Sequence, residues 1–188
     1  MTKALRSIHQ DAVLERVAIS ILAGGRSTRM GRDKARLRLG GRSLLGHVRA
    51  AAEATGWPVR TIRRDAVARC GPLGGIYTAL ATSRAEAELF LPCDMPFISP
   101  TLLEELAGRL RPAQCAVFAT ADGRPGFPFV LRATTLPVVE QQIRLRRYSI
   151  HSLAETLRAM LVRVPKRRAI ELSNVNTPAD WERISCLC

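Results

Sequence analysis

Aromatic residues are scarce in this chain, with five Phe, two Trp and two Tyr among 188 residues. So thin a set does not build the stacking platforms that read single-stranded nucleic acid, and no helix-turn-helix or RNA-binding motif stands out. Long apolar runs are lacking too. None approaches the length of a membrane span, and the first twenty residues mix charge with apolar side chains instead of forming a signal peptide's apolar centre and cleavage site. Cysteine is sparse and unpaired: the five residues are odd in number and lack metal-ligand spacing, and Cys186-Leu187-Cys188 has the wrong spacing for a C-x-x-C motif. That pattern predicts reduced thiols and a cytoplasmic protein. Acidic residues are also in deficit, 16 Asp and Glu against 29 Lys and Arg, for a formal net charge of +13. With nucleic acid disfavoured and the arginines dispersed, the expected partner is a small polyanion.

What is present suits one globular domain. Hydrophobic residues make up 47% and charged residues 24% of the chain, enough for a sizeable core at this length. The boundaries read as an N-terminal extension over residues 1–16 and a domain over 17–188.

The densest chemistry lies in Leu22-Ala23-Gly24-Gly25-Arg26-Ser27-Thr28-Arg29-Met30-Gly31-Arg32-Asp33-Lys34, directly after the apolar run Val17 to Ile21. Gly24 and Gly25 allow backbone N–H groups to approach an anion closely, as successive N–H groups do in an oxyanion nest. Arg29 and Lys34 supply counter-charge, one planar and forked, the other a point charge. The order matches neither a P-loop nor a dinucleotide fingerprint. Taken alone, the segment reads equally well as a tight turn with a solvated basic rim.

Downstream, apolar runs alternate with stretches of helical spacing, the pattern of an α/β fold. Leu44, Leu45, Val48, Ala52 and Thr55 share a helical face with Ser43 as N-cap, and Pro58 to Ile62 reads as a strand. Gly71-Pro72-Leu73-Gly74-Gly75 breaks the chain before a helix from Ile76 to Ser83, so each of two glycine-rich turns opens onto a helix N-terminus. Glu88 to Pro92 is an apolar strand ending on Asp94, between Pro92 and Pro96. A lone carboxylate there suits Mg²⁺ that keeps most of its waters and bridges substrate phosphates, or else caps the turn.

Ser99-Pro100 opens a helix running through Leu110. Cys115 to Ala119 and Phe127 to Leu131 form two strands about a turn at residues 121–126, and Ser149 caps a helix reaching Met160 that carries His151 on its surface. In Asn174-Val175-Asn176-Thr177-Pro178-Ala179-Asp180, Thr177 is an N-cap and Pro178 the first helical residue. Asn174 and Asn176 alternate on an extended segment, so both amides are placed to face a substrate, or else they serve the turn.

The four segments around Gly24, Gly71, Asp94 and Asn174 resemble, in order and over nearly the whole chain, the molybdenum cofactor guanylyltransferases, the MobA-type nucleotidyltransferases. The first segment is shared with many nucleotidyltransferases, whereas the Gly24-Gly25 pair, the GPLGG turn and NVNTP narrow the resemblance to the guanylyl branch. It implies a single-domain, three-layer, Rossmann-like fold of the GT-A type, with a mostly parallel sheet flanked by helices. It further implies Mg²⁺-dependent transfer of GMP from GTP to Mo-molybdopterin with release of pyrophosphate. By motif, Leu22, Ala23, Gly24, Gly25, Asp65 and Gly71 hold the nucleotide, Lys34 its phosphates, and Asp94 the metal. Arg29, Lys34 and Asp94 form the catalytic set, and Asn174 and Asn176 face the pterin. Other cofactor-biosynthesis proteins or recipient molybdoenzymes are implied partners.

Two departures from the family pattern stand out. Its members carry another strand, bearing an asparagine, between the first helix and the segment leading to Asp65, whereas here Gly56 runs almost directly into Pro58 to Ile62. The His-x-Thr-like pattern is also missing after Gly123. The alternatives are a related enzyme using CTP or another phosphorylated acceptor, and a nucleotide-binding module without turnover.

Overall fold

The computed structural model describes residues 17–24 and 37–185. The proposed extension over residues 1–16 lies outside them, as do Gly25, Arg29 and Lys34.

The first strand, β1 (Val17–Leu22), is apolar apart from Ser20 because both its faces are covered, and Val17 through Ile21 are all buried. After the short hairpin β2 (Arg38–Leu39) and β3 (Arg42–Ser43) comes helix α1 (Leu44–Glu53), whose N-cap is Ser43, accepting from Gly46 N–H at 3.1 Å. Strand β4 (Val59–Ile62) leads to α2 (Pro72–Thr82), and β5 (Ala87–Pro92) to α3 (Pro100–Gly108). The hairpin β6 (Ala116–Thr120) and β7 (Gly126–Arg132) is followed by α4 (Leu136–Arg144), α5 (Ile150–Thr156), β8 (Met160–Arg163) and α6 (Pro178–Ser185).

The main sheet runs β4-β1-β5-β7-β6-β8, with β7 antiparallel to both neighbours and the other pairings parallel. Val48 and Ala52 of α1 and Leu102, Leu103 and Leu106 of α3 cover one face, meeting Ile19, Leu89 and Val117. Leu73, Ile76 and Leu80 of α2, Val139 of α4 and Leu153 of α5 cover the other, around Phe90, Phe118 and Phe129. The result is the three-layer, mostly parallel α/β domain expected. A small satellite core joins Leu39 and Leu44 to Val175 and Ile184.

Three expectations need correction. The GPLGG segment is not a loop ahead of its helix, because α2 begins at Pro72 and Gly74 and Gly75 are buried in its first turn. The helix after Ser149 stops at Thr156; Arg158 adopts a left-handed φ of 47°, and Met160 already pairs with Val117 in the sheet. Helix α3 ends at Gly108, short of Leu110. Between α1 and Asp65 the chain makes one strand, β4, at the edge of the sheet beside β1, so no asparagine-bearing strand precedes it.

At the opposite end of the strands from their carboxyl termini, a polar network crosses the sheet face beneath α2. Glu88 is fully buried on β5, where Ser20 Oγ donates to it at 2.7 Å and Arg60 Nη2 at 2.9 Å. Arg60 also donates through Nε to Ser20 Oγ at 3.0 Å, through Nη1 to Thr82 Oγ1 at 2.8 Å, and to the Ala79 carbonyl. One guanidinium thereby ties β4, β1, β5 and the end of α2 together. Arg60→Ala leaves a buried carboxylate without counter-charge and is expected to cost about 3 kcal/mol in chemical denaturation. Arg60→Met combined with Glu88→Gln is expected to cost less than Arg60→Ala alone, since the charge left unpaired is then removed as well.

Candidate active site

Hydrogen bonding between β4, β1 and β5 continues just past their ends: Ala23 N–H donates to the Ile62 carbonyl at 2.9 Å, and Cys93 N–H to the Leu22 carbonyl at 3.2 Å. Three chain exits are therefore held abreast. A cleft of about 860 Å³ opens over them, at the carboxyl edge where open α/β sheets bind ligands. Leu22, Ala23 and Gly24 form its floor. The link from β4 to α2 contributes Asp65, Ala68, Arg69 and Gly71, the exit of β5 contributes Cys93 and Asp94, and Phe127 closes the β7 side.

The glycines explain where Asp65 stands. A Cβ at Gly24 would lie 3.3 Å from Asp65 Oδ1, one at Gly75 3.4 Å from the same atom, and one at Gly74 2.9 Å from Asp65 Oδ2 and 2.7 Å from the Val67 carbonyl. The carboxylate is thus wedged between the exit of β1 and the first turn of α2, in space that only missing side chains provide. Burial pushes the Asp65 carboxyl above its ordinary value. Gly71, at the helix N-cap, has φ 56° and ψ −142°, a conformation open to glycine and strained for other residues.

Asp94 is half-buried, and its backbone carbonyl accepts from Val175 N–H at 2.9 Å. Val175 is fully buried in the satellite core, so the segment is docked firmly beside the metal candidate. Asn174 and Asn176 flank Val175 and are exposed; neither lines the cleft. The expected helix start is present downstream, with Asp180 N–H donating to Thr177 Oγ1 at 3.1 Å and Asp180 Oδ2 accepting from the N–H groups of Asn176 and Thr177 at 3.0 and 2.9 Å. Those bonds hold the Asp180 carboxyl below its usual range.

The structure therefore brings six sequence-predicted residues into one cleft, namely Leu22, Ala23, Gly24, Asp65, Gly71 and Asp94. It adds two that sequence reasoning passed over. Phe127 looked like the start of a strand, and Arg69 was one arginine among many; no local pattern marks either. Among the described residues no group of three or more His, Cys, Asp or Glu converges on a metal position. A hard oxygen donor of Asp94's kind fits Mg²⁺, which retains waters and takes its remaining ligands from phosphate, and does not fit a caged Zn²⁺.

Gly74→Ala places a methyl group against the Val67 carbonyl, a backbone atom that cannot swing aside. The expected loss is about 1–3 kcal/mol in a denaturation curve, as for other overpacked sites. Gly108→Ala, with nothing within 4 Å of the added carbon, is the control and should be neutral or slightly stabilising.

Residues 19–161 match the MobA-like NTP transferase domain. The molybdenum cofactor guanylyltransferase of Xanthomonas euvesicatoria is 33% identical, the alignment covering 87% of this chain and 92% of that protein. A probable molybdenum cofactor guanylyltransferase of Opitutus terrae is 31% identical over 89% of this chain and 94% of its own length. In fold, the chain resembles the molybdopterin-guanine dinucleotide biosynthesis protein A of Archaeoglobus fulgidus, with a TM-score of 0.73 at 21% identity over 91% of this chain and 98% of that one. With its sheet order, its cleft and its motifs in the same sequence of elements, this chain belongs to the MobA-like NTP transferase family.

Proposed function

We propose that the protein transfers GMP from GTP to the terminal phosphate of Mo-molybdopterin, with release of pyrophosphate, and that it does so with Mg²⁺ held at Asp94. The observation that carries this reading is the placement of two carboxylates on either side of Gly24. Asp65 stands at the β4 side and Asp94 at the β5 side of one cleft floored by backbone. Neighbouring strands lie about 4.8 Å apart, so exits two strands apart are separated by roughly 10 Å. That separation suits a nucleoside monophosphate lying across β1 with its base at Asp65 and its α-phosphate near Asp94.

The chemistry asks little covalent work of the chain. An oxygen of the acceptor phosphate forms a bond to the α-phosphorus as the bond to pyrophosphate breaks in line, and catalysis is positioning plus charge stabilisation. Leu22, Ala23 and Gly24 present backbone to the nucleotide, and Asp65 accepts hydrogen bonds from the base. Bound Mg²⁺ offsets phosphate charge. The family motif assigns Lys34 and Arg29, with Gly25, to the phosphates. Asn174 and Asn176 lie outside the cleft lining but beside Asp94 through Val175, where an acceptor reaching past the cleft would meet them, and Phe127 offers a ring on the β7 side of the cleft, where a flat heterocycle can rest. Such a cofactor passes, in this reading, to other biosynthetic proteins or recipient molybdoenzymes of the cytoplasm. No helix among the described residues is long and apolar enough to cross a membrane.

The test is pyrophosphate release from GTP, Mg²⁺ and Mo-molybdopterin, with CTP and ATP in parallel. Turnover with GTP is expected, and Asp94→Ala is expected to lower kcat about a hundredfold or more, the order seen when one charge-stabilising group is removed. Turnover with CTP alone reassigns the nucleotide, and GTP binding with no turnover on any nucleotide makes the protein a binding module.

The pH dependence carries a second expectation. A base-reading Asp65 must be ionised, and burial has raised its pKa. GTP affinity should therefore fall as pH drops through that raised pKa, beginning above the ordinary aspartate range. Asp65→Asn should bind more weakly at neutral pH and lose that part of the acid limb; a limb unchanged by the substitution removes Asp65 from the base site.

A further inference from the structure

We infer that Arg69 is a specificity residue, reading the O6 and N7 acceptors of guanine while Asp65 reads its N1–H and N2 amino donors. This rests on the guanylyl reading above and adds to it how GTP is told from other nucleotides.

Arg69 belongs to the link between β4 and α2, four residues beyond Asp65, and lines the same cleft. It lies on the β4 side of Gly24, away from Asp94, and hence at the end where the base rests rather than the phosphates. Its backbone is left-handed, with φ 63°, in a chain whose other described non-glycine residues of that kind are also arginines, Arg146 and Arg158, neither of which lines this cleft. An arginine in a conformation that suits glycine is a local cost, and the turn gains nothing visible from it. The side chain is exposed and makes no hydrogen bond or ion pair with any described residue, unlike Arg60, Arg132 and Arg168, which are fully engaged in holding the fold. A planar fork of donors, uncommitted to the described residues, thus stands on the wall of the cleft that also carries a carboxylate acceptor.

That pairing of an acceptor with adjacent forked donors is complementary to one base. Guanine presents two donors on one edge and O6 with N7 on the next, and a guanidinium bridging O6 and N7 is the commonest specific arginine contact to a base. Adenine offers N7 beside an amino donor, and cytosine an amino donor where guanine has O6, so each sets a donor against the guanidinium.

The experiment is equilibrium binding of GTP, 7-deaza-GTP, ITP, ATP and CTP in Mg²⁺ buffer to wild type, Arg69→Gly, Arg69→Lys and Asp65→Asn. Glycine at 69 removes the side chain where the backbone already suits it, so the fold is kept. Wild type is expected to bind GTP about tenfold tighter than 7-deaza-GTP, which lacks the N7 acceptor. Arg69→Gly should erase that ratio while still preferring GTP over ITP, which lacks the N2 amino group. Asp65→Asn should do the reverse, and Arg69→Lys, with charge but no fork, should not restore the N7 preference.

If Arg69→Gly weakens all five nucleotides equally, the arginine binds phosphate and the inference is wrong. An unchanged ratio of GTP to 7-deaza-GTP overturns it as well. Failure of the guanylyl reading looks different, since wild type itself would then show no preference for GTP.

Discussion

Everything in the cleft depends on the parallel pairing of β1 with β4 on one side and β5 on the other. The register sets Leu22 against Ile62 and against Pro92, so all three strands end at one level and their exits emerge side by side. A one-residue slip in a parallel strand would turn its side chains to the opposite face and carry its exit out of line. The register is held at one end by apolar burial on both faces and at the other by the Arg60, Glu88 and Ser20 network, which only one alignment satisfies. Function at the carboxyl edge is thus maintained by a charged contact near the opposite end, which itself touches no part of the cleft.

Much of this was legible in the sequence because buried parallel strands are largely apolar runs, and β1 and β5 were found that way, whereas β4, with Arg60 and Thr61 in it, was read only as a short segment from Pro58 to Ile62. The site residues of backbone type, Leu22 to Gly24, and Asp94 were legible from where they follow those strands, whereas Asp65 was marked only by the resemblance to the family. Gly74 and Gly75 were misread. Glycine suggests a flexible loop, yet these two are helical and exist for close approach, and only the folded chain shows that Asp65 and Val67 press on them. Helix α4 offered little start signal beyond Pro137 in its first turn, since it grows out of a 3₁₀ turn with no side-chain cap at Thr135. The end of α5 was hidden because the alternation that makes Met160 a strand residue depends on a partner, Val117, more than forty residues away.

The charge excess also changes meaning once the structure is known. Several arginines are internal fasteners. Arg132 donates to the carbonyls of Leu110, Arg111 and Gln114, closing the chain after α3, and Arg168 bridges Glu171 and Glu105 while Ser99, the N-cap of α3, donates to Glu171 at 2.6 Å. Burial alone would raise the Glu171 carboxyl, but the hydrogen bonds from Arg168 and Ser99 outweigh it and hold it below the usual range. Net charge therefore counts structural cations together with those free to meet a ligand. What marks a ligand site is a cation that the described fold leaves unspent beside a cleft.

By that criterion the floor and the walls of the cleft divide the work. Backbone and glycine make the floor, where any nucleotide can approach, since peptide N–H groups do not distinguish one base from another. On the proposed reading, discrimination comes from side chains at the β4 end, where the short link from β4 to α2 carries Asp65 and Arg69 within five residues. Reaction geometry would then be set separately, at Asp94, whose backbone is tied to Val175 and so to the satellite core. Because the two ends hang from different strands and are braced by different contacts, substitutions at the base end can retune nucleotide choice without moving the metal carboxylate.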